Sequence, residues 1–79
     1  MTRVFLHIRD LNSIEWANEF REFSRVPVLN EYVALASDSD WYRVTVVVHT
    51  PFPCDCDAEV YAVKVDQTEA NQQILEGLR

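Results

Sequence analysis

Glycine is almost missing from this chain: one residue in 79, beside three prolines. A chain so poor in both is not a flexible, low-complexity linker. Cationic side chains are also scarce, with seven Lys and Arg against 13 Asp and Glu, for a net charge of −6. That balance argues against gripping a phosphate backbone, where cation–phosphate contacts supply most of the affinity. It suits solubility, or a basic partner. No apolar run is long enough to span a bilayer, and the run in Met1–Asp10 is too short for a secretory signal. The only two cysteines are one residue apart, at Cys54-Asp55-Cys56. A disulfide between them would be badly strained. These absences together predict a cytoplasmic protein with free or liganded thiols, no membrane partner and no nucleic-acid partner.

Apolar residues make up 48% of the chain, enough to fold as one domain over 1–79. A chain this short buries only roughly 60% of the surface it exposes when unfolded, so a metal or a second copy would help it. Residues 3–9 alternate with period two, Val4, Leu6 and Ile8 against Phe5 and His7, and predict a strand. Asn12 with Glu15 reads as a capping box, and Leu11 with Trp16 as its hydrophobic staple. Trp16, Phe20 and Phe23 then recur at helical spacing, which predicts a helix ending before Pro27.

Three strands are expected next: 31–36, then 41–49 with Tyr42, Val44, Val46 and Val48 on one face, then 58–65. Short links between them make an antiparallel meander the default. A last helix over 67–78 starts at Asp66 with Glu69 three residues on, and carries Ala70, Ile74 and Leu78 as its apolar stripe. The fold class is therefore α+β, in the order β-α-β-β-β-α: an antiparallel meander, as a small barrel or an open sheet, packed by one or two helices.

Val26-Pro27-Val28-Leu29-Asn30-Glu31-Tyr32-Val33, followed by the strand from Trp41, resembles a group of small uncharacterised bacterial and phage proteins. Their opening is Pro-x-x-Gly-Glu-x-Val, and the resemblance implies an SH3-like barrel but no activity. Asn30 stands where that group has Gly. Asn tolerates a left-handed backbone better than other non-glycine residues, so the turn can persist. By order of elements alone, residues 12–78 also resemble the double-stranded-RNA-binding fold. That family grips phosphates with lysines at the start of its last helix, and Gln67-Thr68-Glu69-Ala70-Asn71 offers none.

The segment 49–57 is the densest in chemistry. Cys54 and Cys56 point the same way along an extended chain. With His49 and Asp57, or Glu59, they make a candidate zinc set. Asp55 and Asp57 beside the thiols work against a reactive thiolate. Asp38 and Asp40 cannot complete that set, because the strand 41–49 separates them from it by roughly 25–30 Å. Trp41 and Arg43 share a sheet face, and Phe52 sits between two prolines; these three are the candidate partner-binding residues. His7 lacks a partner nucleophile and reads as a structural histidine. No catalytic constellation is legible, so the chain reads as non-enzymatic. The expected function is a protein-interaction module, with a homodimer as one form. The alternative is a metal-binding or thiol-dependent protein centred on 49–57.

Overall fold

A computed structural model describes residues 1–36, 39–51 and 54–77. Five strands and one helix follow in the order β1 (Thr2–Arg9), β2 (Ala17–Phe23), β3 (Tyr32–Ala34), β4 (Trp41–His49), β5 (Ala58–Lys64) and α1 (Gln67–Gly77). The strands form one mixed sheet, β2-β1-β5-β4-β3, curled into a half-barrel. β3, β4 and β5 make the expected antiparallel meander. β1 joins it by running parallel to β5, with Leu6 opposite Val60. Among the described residues no helix is long and apolar enough to cross a membrane.

The core lies on one face of the sheet. Val4, Leu6, Ile8, Val33, Val44, Val60 and Ala62 form a single buried cluster. Val33 and Val4 belong to strands with two others between them, and they share one cluster because the sheet curls. Alternation in β1 and β5 places this set, since successive side chains in a strand point to opposite faces.

The helix expected over residues 12–23 is a turn followed by β2, which corrects the order to β-β-β-β-β-α. The same finding removes the double-stranded-RNA-binding reading, which begins with that helix. The polar residues read as a cap make a turn instead. Ser13 N–H donates to the Asp10 carbonyl at 3.2 Å. Glu15 N–H donates to Ser13 Oγ at 3.1 Å. Asp, Asn and Ser satisfy turn backbone as readily as helix ends. The free edge of β1 then takes 17–23 as an antiparallel partner, from Thr2 opposite Phe23 to Ile8 opposite Ala17. The aromatic stripe is split as a result. Phe23 packs on the core. Phe20 lies on the other face, stacked on Phe5 at 4.6 Å. Trp16 meets Tyr61 edge-on at 5.3 Å.

A bulge between Val44 and Val46 corrects the faces of β4. Before it, Val44 opposes Ala62 in the core; after it, Val47 opposes Val60 there. Val46 and Val48 are turned to the outer face, opposite Tyr61 and Glu59. One extra residue reverses every side chain beyond it.

The final helix begins as expected: Glu69 N–H donates to Asp66 Oδ1 at 2.7 Å. Of its apolar stripe only Ala70 is buried, while Ile74 is 47% exposed; Leu78 lies outside the described residues.

Candidate functional site

The turn at 25–31 is held by a dense set of hydrogen bonds. Asn30 adopts φ 69°, in the left-handed region. Asn and Gly are the residues that take it with least strain. Glu31 sits at the centre. Its Oε1 accepts from Arg25 Nη1 at 2.7 Å and from Val28 N–H at 2.6 Å. Its own N–H donates to the Val28 carbonyl at 3.1 Å. The loop is stapled to β4 through Val44, which accepts from Asn30 N–H at 2.9 Å and donates to the Glu31 carbonyl at 2.8 Å.

The Arg25 guanidinium, and then the Val28 N–H, hold the Glu31 carboxyl down at about 2 from an ordinary 4.5. A depressed carboxylate stabilises the fold above its unfolded value, and that contribution fades as pH falls towards the folded one. The carboxylate of the folded chain stays ionised until the pH nears 2, so the clamp itself is expected to open only around that pH. NMR should show the Val28 amide resonance moving with a midpoint near pH 2, and a Glu31→Gln variant should lack the transition.

Beside this loop, β4 runs out of neighbours. β3 pairs only with Trp41–Arg43, and the staple ends at Val44. Among the described residues, no strand covers Thr45–His49 on that side. A cleft of about 410 Å³ opens there, lined by Val26, Pro27, Val28, Leu29, Val46 and Val47, with Thr45 and His49 at its rim. Val28, Leu29 and Val46 are about half exposed, at 54%, 57% and 47%. An uncovered strand edge next to a fixed apolar cleft offers backbone hydrogen bonds and side-chain pockets together. A larger groove, about 880 Å³, lies between Asp10–Ser13, Asp40 and α1. Three of its four charged side chains serve the chain's own structure: Lys64 pairs with Asp40 at 3.2 Å and Asp66 caps the helix.

Of the zinc candidates, the carboxylates Asp57 and Glu59 are engaged within the chain. Cys54 is exposed and Cys56 half-buried, both as free thiols. One Asp57 oxygen accepts from Arg3 N–H at 2.9 Å, tying the start of β5 to β1. Glu59 accepts from His7 Nε2 at 3.0 Å. His49 opens onto the apolar cleft. Among the described residues, no three His, Cys, Asp or Glu side chains are placed to hold a metal ion.

Of the partner-binding candidates, Trp41 stands 5.5 Å from the Tyr32 ring. Arg43 Nη1 donates to both Glu69 oxygens, at 3.2 and 3.3 Å. Tyr32 Oη donates to Glu69 at 3.0 Å as well. This face receives the first turn of α1, so Arg43 is engaged within the chain. Phe52 lies outside the described residues.

His7 is held from both neighbouring strands. It is the one buried polar side chain among the described residues, although it points to the outer face. Its ring stacks on Tyr61 at 4.3 Å and sits edge-on to Phe5 at 4.5 Å. Nδ1 lies 2.6 Å from Asn18 Oδ1 and Nε2 bonds to Glu59, which links β2, β1 and β5.

Sequence reasoning missed the cleft: of its candidate residues only His49 lines it, and the bulge that turns Val46 outward has no local pattern to announce it. Comparison with family models, with curated proteins and with solved structures returns no match.

Proposed function

We propose that the protein is a non-enzymatic interaction module that captures an extended segment of a protein partner along Thr45–His49. The observation that carries this reading is the uncovered half of β4 lying beside the 410 Å³ apolar cleft. The segment adds as a strand and places alternate apolar side chains against Val28, Leu29 and Val46. Lysines or arginines outside the cleft complement the net charge of −6. The Pro27–Val33 resemblance supports an SH3-like description of the half-barrel, with Asn30 in its turn. The Arg25–Glu31 clamp favours binding, because a loop already held in place loses little freedom when it is occupied.

The test is selection from a library of 12-residue peptides, followed by NMR titration of the full chain with the selected sequence. Amide shifts should concentrate on 26–29 and 45–49. Val46→Glu should raise Kd at least tenfold, or about 1.4 kcal/mol. It should change stability by no more than about 0.5 kcal/mol, as expected of an exposed position. Shifts mapping to the Trp41–Arg43 face or to Cys54–Cys56, or a Kd indifferent to Val46→Glu, would overturn the reading.

A further inference from the structure

The opposite edge of the sheet carries a different signal. β2 is an edge strand seven residues long, in regular register with β1 and without a proline, lysine or bulge. Such an edge keeps a row of backbone N–H and C=O groups open to pairing, and its charges on the core face, Glu19 opposite Leu6 and Arg21 opposite Val4, restrict which strand can add to it. Phe20 stands at its midpoint and is 44% exposed. Glu19 and Arg21 flank Phe20 on the other face, 3.0 Å apart and both partly exposed.

We propose that β2 pairs antiparallel with β2 of a second copy about a two-fold axis through Phe20, making one ten-stranded sheet. The argument is charge complementarity. A two-fold centred on Phe20 puts Glu19 opposite Arg21 of the second copy, and Arg21 opposite its Glu19. Asn18 meets Glu22, Ala17 meets Phe23, and the two Phe20 rings, each already packed by Phe5 and by the Arg3 guanidinium, meet on the axis. This register overlaps β2 along its whole length. Centring on Glu19 or on Arg21 instead opposes like charges on the axis and shortens the overlap. Like charges directly opposite in a sheet are unfavourable, so the sequence of β2 selects its own register. The inference goes beyond the peptide reading and stands without it, because the two edges lie on opposite sides of the sheet.

Light scattering after size exclusion tests it on the full chain alone, with no peptide present. The wild type should run at twice the 9.2 kDa chain mass. Glu19→Arg and Arg21→Glu each place like charges opposite and should each weaken the dimer at least about tenfold. Mixing the two variants restores both opposite-charge pairs, so the mixture should form a heterodimer. The double swap Glu19→Arg/Arg21→Glu should dimerise like the wild type. Circular dichroism verifies that each variant is folded, and the double swap and the mixture keep the test decisive if one variant is not. A wild type that stays monomeric, or single variants that dimerise undiminished, would overturn the proposal.

Discussion

Leu6→Ala is expected to destabilise the protein by about 3 kcal/mol, in the range for truncating a buried leucine. Leu6 has no exposed surface and is the largest of the fully buried side chains among the described residues. It sits midway along β1, between Glu19 of β2 and Val60 of β5. Truncation there leaves a cavity that the hydrogen-bonded strands on either side keep from collapsing. A 79-residue chain has only about 4–12 kcal/mol to lose. Urea unfolding should therefore show a large drop in midpoint. Leu6→Met, which nearly conserves volume, should cost less than about 1.5 kcal/mol. Ile74→Ala provides the contrast, since Ile74 is 47% exposed on α1 and should cost far less than Leu6→Ala. Equal losses at the two positions would mean that Ile74 on the helix is packed as firmly as Leu6 on the β1 face.

Asn30→Val is expected to cost about 1–2 kcal/mol, the penalty for placing an ordinary L-residue in left-handed backbone. A β-branched side chain is the least tolerant of that conformation. Asn30→Gly should be neutral within about 0.5 kcal/mol, since glycine removes the Cβ strain but adds freedom to the unfolded chain. The pair separates backbone strain from side-chain chemistry. The Val variant should also loosen the bonds from Asn30 N–H and from the Glu31 carbonyl to Val44, and so spoil the wall of the cleft. Affinity for the selected peptide should fall in Asn30→Val and hold in Asn30→Gly. Thermal unfolding together with the same NMR titration checks both expectations.

Where a strand's neighbours agree with its own pattern, the chain was readable in one dimension. β1, β4 and β5 are rich in β-branched residues or alternate cleanly, and they fall where that pattern puts them. α1 starts at Asp66 because the cap is a local hydrogen bond. The Asn30 turn was readable for the same reason: a left-handed backbone is a property of one residue.

β2 failed because its evidence was ambiguous. Asn12, Ser13 and Glu15 serve a turn or a cap equally well, and aromatic residues four apart share a face in either a strand or a helix. Trp16 and Phe20 could not decide between them, whereas Phe23, three residues on, changes face only in a strand. The candidate site was obscured in the same way. The bulge at Thr45 is a feature of the β4–β5 pairing, and Thr45 Oγ1 donates to the Tyr61 carbonyl at 3.2 Å inside it.

By itself, then, the sequence determined an acidic chain poor in glycine, three of its long strands, its last helix and one strained turn, all set by composition or by residues close together along the chain. Tertiary structure alone decided that residues 17–23 become a strand, since the open edge of β1 supplies hydrogen bonds that an isolated helix of that length does not replace. It also decided that β1 runs parallel to β5 and that Val46 and Val48 turn outward. The first depends on pairing between segments some fifty residues apart, a separation that leaves no period to read, and the second on one extra residue in the β4–β5 ladder.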